Sequence, residues 1–129
     1  MAIQKHLEAE GRGEFTYDFK YDVLYFKIKD RTYKKSVEFQ NFVADIDDED
    51  FVTGMRVFDA SKVFGIDKYA LKNITYMEFE SNVENNVITI RCRFVCKIRN
   101  KPVPENFTQQ LTQKATIALA DSSVGPVAA

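Results

Sequence analysis

Residues 74–100 read ITYMEFESNVENNVITIRCRFVCKIRN, and how they pair decides the fold. Ile88, Ile90, Cys92, Phe94, Cys96 and Ile98 alternate with mostly polar residues, the period of two of a half-buried strand. Asn85 and Asn86 suit a two-residue hairpin loop. With that loop, Glu80 faces Arg91, Glu78 faces Arg93, Phe79 faces Cys92 and Met77 faces Phe94. Acid then meets base on one face and apolar meets apolar on the other. A loop of odd length breaks both agreements, so charge and packing select one register.

Working outward, VLYFKI (23–28) sets Leu24, Phe26 and Ile28 on one face and Val23 and Tyr25 on the other. That pattern predicts a central strand covered on both sides, by the rest of the chain or by a second copy. FTYD (15–18) is a strand leading into it through a turn. DRTYKKS (30–36) reads as a turn or flexible connector. VEFQNFVADI (37–46) reads as one strand whose apolar register switches at Gln40-Asn41, which a β-bulge would repair. DDED (47–50) is a polar turn and FVTGMRVF (51–58) a further strand. Gly54 inside it marks a bulge or a close backbone approach. DASKVFG (59–65) suggests a short helix ending at Gly65, and Asp67 can cap a second piece, KYALK. FTQQLTQKATIAL (107–119) fits a strand better than a helix, because a helical stripe strands Ile117 and three threonines favour β.

These elements predict a mainly β fold, with antiparallel sheets of about six or seven strands. The sheets pack as a sandwich or open barrel with a short helical segment. The alternative is α+β with a C-terminal helix. Residues 1–13 and 121–129 read as flexible ends, 14–65 as a β module, and 66–120 as a hairpin region sharing its core.

The chain has 129 residues, 45% hydrophobic and 29% charged, with a net charge of −1. There is enough apolar material for a core, and no global field that would gather nucleic acid or acidic membrane. No apolar run approaches the roughly 18–20 residues of a membrane span, and the first residues lack an apolar signal core. The expected location is the cytoplasm. Cys92 and Cys96 lie four apart on one strand, about 13 Å between Cα atoms at roughly 3.3 Å per residue. A disulfide needs roughly 4.4–6.8 Å, so both are expected as reduced core residues.

Arg91, Arg93, Lys97 and Arg99 form a basic stripe, the form a nucleic-acid platform takes. Glu78 and Glu80 neutralise half of it, which argues against that use. Asp45, Asp47, Asp48, Glu49 and Asp50 crowd one turn. Counting from Asp45, the sixth and twelfth positions of a calcium loop hold Asp50 and Arg56 rather than Gly and Glu, so no metal site is assigned. His6 is the single histidine and lies in the loose N-terminus, which argues against Ser-His-Asp catalysis and histidine-built zinc sites. No glycine-rich phosphate loop occurs, and no cofactor and no catalytic residue is assigned. Asp22, Asp59 and Ser61, polar residues near turns, are the candidates for ligand binding.

The stretch from Tyr17-Asp18 through Asp22 to Leu24-Tyr25, followed by Asp47, Gly54 and Asp59-Ala60-Ser61, resembles an uncharacterised prokaryotic family, domain of unknown function 2283. The resemblance covers residues 14–65 only, so the chain looks like a longer variant. Two places depart from the pattern. Phe19-Lys20-Tyr21 stands where members often carry proline and small or acidic residues, and Asp50-Phe51 where a glycine is common. The resemblance implies a compact β module, no established activity and no catalytic residues. Together these readings point to a small non-enzymatic interaction module, homodimeric or binding a partner protein. The alternatives are a small-ligand binder or unrecognised enzyme, and nucleic-acid binding through the basic strand.

Overall fold

The computed structural model describes residues 5–8, 11–97 and 105–128. They form two five-stranded sheets with two short helices. The N-terminal sheet holds β2 (Gly13–Asp18), β3 (Val23–Ile28), β4 (Tyr33–Glu38), β5 (Phe42–Asp47) and β6 (Val52–Phe58), in the spatial order β2-β3-β6-β5-β4. Helices α1 (Ala60–Phe64) and α2 (Lys68–Lys72) lead to the second sheet. That sheet holds β1 (Lys5–Glu8), β7 (Ile74–Glu84), β8 (Val87–Cys96), β9 (Glu105–Lys114) and β10 (Ser122–Ala128), ordered β1-β10-β7-β8-β9. Neither sheet closes into a barrel.

The β7–β8 hairpin has the expected register. Glu80 pairs with Arg91, Glu78 with Arg93, Phe79 with Cys92 and Met77 with Phe94. Asn85 and Asn86 both take left-handed backbone, φ 51° and 64°, the geometry of a type I′ turn. Ile98 and Arg99 lie outside the described residues. The inner faces meet in one core, where the Phe26 ring stacks on Phe79 at 4.7 Å and Met55 touches Cys92 sulfur to sulfur at 3.7 Å. Cys92 and Cys96 are buried and neither is in a disulfide. Burial pushes the Cys92 thiol well above its usual range.

Four expectations change. The strand count is ten among the described residues, not six or seven. Three of the added strands come from segments read as connector or loose ends. Residues 33–38 form β4, so the register switch at Gln40-Asn41 is a chain reversal rather than a bulge. Phe39 N–H donates to the Phe42 carbonyl at 2.8 Å, and the two rings stack. Each arm keeps its own alternation, which a single-strand reading mistook for a fault. The chain ends also become strands. β10 is too short and too rich in small residues to signal itself, yet it lies between β7 and β1 and buries Val124 and Val127. β1 then pairs parallel to β10, so His6 sits in a strand. Finally, β9 is a strand as expected but ends at Lys114, and residues 115–121 are irregular.

Gly54 serves both of its expected purposes. The β5–β6 register shifts beside it, and a Cβ there would lie 3.0 Å from the Phe26 carbonyl oxygen. α1 ends at Gly65 in the left-handed region, and the Asp67 carboxylate caps α2 by accepting from Tyr69 N–H at 2.7 Å. No helix among the described residues is long and apolar enough to cross a membrane.

Candidate interaction surface

Of the three polar candidates, the fold brings two together. Asp22 ends the β2–β3 turn with left-handed backbone, φ 56°, which aspartate tolerates better than most residues. Its carboxylate is only 9% exposed. Oδ1 accepts from the Tyr17 hydroxyl at 2.6 Å and from Ser61 N–H at 3.0 Å, and Oδ2 accepts from the Ser61 hydroxyl at 2.6 Å. The Asp22 carbonyl accepts from Ala60 N–H. Asp22 therefore caps the first turn of α1 from a distant part of the chain. Burial opposes its ionisation, but the bonds from Ser61 and Tyr17 outweigh it and hold the carboxyl below its usual range. Burial, together with the Asp22 bond and charge, pushes the Tyr17 phenol well up. Asp59 supplies left-handed backbone before α1, makes no side-chain cap bond and is exposed. Tyr17, the third member of this clasp, enters the sequence reading as a strand residue and as part of the family resemblance, not as a ligand-binding candidate.

The acidic turn is also engaged internally. Asp47, with no exposed surface, accepts from Glu49 N–H, Phe51 N–H and Arg31 Nε. Arg31 also pairs with Glu49, Lys34 with Asp50 at 3.0 Å, and Arg56 with Asp45 at 3.1 Å. Among the described residues no group of three or more metal-ligating side chains could hold an ion. On the other sheet Arg91 pairs with Glu80 and Arg93 with Glu78, both at 3.2 Å, and Arg93 also lies over the Tyr76 ring. Lys97 is exposed.

What the sequence did not single out is the distribution of aromatic exposure. β3 is an interior strand, but its outer face is open. Tyr25 is 41% exposed, while Leu24, Phe26 and Ile28 are buried inward. Within the described chain the expected cover on both sides is therefore supplied only at Val23, which is buried on that same outer face, and not at Tyr25. Phe58, paired with Val23, is 46% exposed, and Tyr21 in the β2–β3 turn is 66% exposed. Tyr33 and Tyr69 complete the exposed aromatics among the described residues, and all five fall between residues 21 and 69. Beside Phe58 lies a hollow of about 310 Å³ lined by Phe39, Phe42, Val43 and Val63 together with the polar Glu38, Gln40, Asn41 and Asp59. Phe19 packs against Tyr69 with the rings tilted by 54°, and the ammonium groups of Lys68 and Lys72 lie over the Phe19 ring.

Two cations on this outer face are matched within the chain. Lys27 pairs with Glu14 at 3.0 Å, and Arg56 with Asp45 and the Ser36 hydroxyl. Arg56 Nε is buried without a partner among the described residues, so the guanidinium keeps an unused donor at the centre of the face. Tyr25 and Phe58 thus flank Arg56, whose charge is met by Asp45, which makes a mixed aromatic and polar face suited to contact.

Residues 14–61 match the model of the family described as "Protein of unknown function (DUF2283)". The exposed Tyr21, Tyr25, Tyr33 and Phe58 all lie within that stretch. The chain is similar to a Methanosarcina mazei protein named "Putative hypoxanthine phosphoribosyltransferase", at 29% identity over 90 residues, 70% of this chain and 73% of the relative. It is also similar to an uncharacterized protein of Methanocaldococcus jannaschii, at 28% identity over 88 residues, 67% of this chain and 76% of the relative. No solved structure matches.

Proposed function

We propose that this chain, whose residues 14–61 match the model of the family "Protein of unknown function (DUF2283)", is a binding module that pairs with a second copy of itself through the outer face of its N-terminal sheet. The observation that carries this reading is the open outer face around Tyr25 and Phe58. Its charge pattern favours a like copy. Because Lys27 and Arg56 are neutralised within the chain, two identical faces can meet about a twofold axis without bringing unpaired cations together. A strongly charged partner gains little there.

The size of the face sets the strength. Five strands about 4.8 Å apart and about six residues long at about 3.3 Å each span roughly 500 Å². A stable interface takes about 800 Å² per partner. Tyr21 in the adjoining turn and the hollow beside Phe58 extend the area, so the expected association is weak, on the order of micromolar. The two buried, unbridged cysteines support a cytoplasmic location.

Light scattering over a concentration series tests the reading. The expected result is a mass rising from monomer toward dimer, and a Tyr25→Glu, Phe58→Asp double variant that stays monomeric with an unchanged melting temperature. An unvarying monomer at the highest concentration sinks it. The name of the Methanosarcina relative raises phosphoribosyl transfer as a rival activity. Nucleobase-dependent turnover of a phosphoribosyl donor by this chain would favour that rival over pairing as the role of this face.

A further inference from the structure

The opposite face of the molecule brings together the chain's one histidine, a serine and a carboxylate. His6 and Ser123 are direct partners in the parallel β1–β10 pair, and Glu8 is two residues along β1, on the same face as His6. His6 Nδ1 lies 2.7 Å from Ser123 Oγ, and His6 Nε2 lies 2.6 Å from Glu8 Oε1. An ionised carboxylate only accepts, so Nε2 carries the proton toward Glu8. Nδ1 is left with its lone pair on the serine hydroxyl, which donates to it. The ring's position is built in. A Cβ at residue 125 would lie 2.9 Å from His6 Cε1, so the absence of a side chain at Gly125 leaves room for the imidazole in this position over β10. A hollow of about 390 Å³ opens beside His6 and Ser123, lined also by Glu80, Asn82, Thr89, Arg91 and Pro126. That volume falls in the range of small-molecule sites.

We propose that Ser123, His6 and Glu8 form a relay that makes Ser123 a nucleophile toward small activated carboxylic esters. Ser123 Oγ attacks the ester carbon and its proton passes to His6 Nδ1. The carbon–oxygen bond to the leaving group then breaks, and Nδ1 returns the proton to the departing alcohol. Water repeats the sequence on the acyl-serine, releasing the acid and regenerating Ser123. Ser123 and His6 are the catalytic residues. Glu8 is a positioning residue that fixes the tautomer and stabilises the imidazolium. Arg91 lines the same hollow, paired with Glu80 at 3.2 Å. This face is separate from the aromatic face, so the two proposals stand or fall independently.

The test uses the full chain with p-nitrophenyl acetate and follows nitrophenolate release and the acylated peptide by mass spectrometry. The expected result is an acetyl group on Ser123. Ser123→Ala should slow release by about 10²-fold at an unchanged melting temperature. Glu8→Gln should lower kcat while KM holds, an effect that a merely structural Glu8 does not produce. Absence of the acetyl group from Ser123 in the unaltered chain overturns the proposal, whatever the variants do. So does a Ser123→Ala variant that keeps the rate, because the exposed imidazole would then be acting alone.

Discussion

Asp22 and Asp47 are acidic residues in or beside turns that look alike in sequence and do different things. Asp47 has no exposed surface and holds two backbone N–H groups as well as Arg31. Replacing it by alanine leaves buried donors and a half-buried guanidinium unmatched. Asp47→Ala should cost about 3 kcal/mol in urea unfolding, near the lower end for breaking a buried pair. Asp22 joins the β2–β3 turn to α1, and its carboxyl is held below the usual range. A depressed folded-state pKa contributes stability above the unfolded value, about 3.9, and that contribution is lost as pH falls through the folded value. Asp22→Asn should therefore be less stable than the natural chain at neutral pH, with the gap closing below about pH 4. Urea midpoints at several pH values check it, and a gap independent of pH refutes it. Asp22, Asp30, Asp50 and Asp59 all take left-handed backbone. Their abundance at turns thus has a conformational reason as well as an electrostatic one.

At the scale of elements, the β7–β8 hairpin was legible because three local signals agreed: alternation, turn residues and cross-strand charge. Asn85 is at φ 51°, so Asn85→Ala should cost about 1 kcal/mol by thermal melting, while Asn85→Gly should be near neutral. The helices were legible from Gly65 and the Asp67 cap for the same reason. β4 was not. Its residues, YKKSVE, bury only Val37 fully, so an edge strand with lysines looks like a connector. The clasp at Asp22 was half legible. Asp22 and Ser61 stood out as polar residues near turns, but their contact spans 39 positions and needs the β2–β3 turn packed against α1.

Across the whole molecule, the largest departure from the sequence reading is the terminal segment. β10 joins β1 to β7 and places Val124 and Val127 in the core. Burying two valines contributes about 1.5–3 kcal/mol each, against a net stability of about 5–15 kcal/mol for a domain. A chain truncated after Ala120 should lose cooperative thermal unfolding and expose core surface to a hydrophobic dye. A truncated chain that melts as the full one does would show that segment to be dispensable.

By itself the sequence determined the class of fold, the register of the central hairpin, the reduced cysteines and the neutralisation of the basic stripe. All of these rest on contacts between neighbours in one strand or across one short turn, where period and charge leave little freedom. The tertiary structure alone decided three further matters: that the chain ends are paired strands, that the outer face of VLYFKI is open, and that His6 meets Ser123 across 117 positions. The reason is physical. Local pattern says which face of a strand is apolar, but not which distant segment lies against it. A strand of small residues such as SSVGPVA is held by its neighbours' hydrogen bonds rather than by any signal of its own.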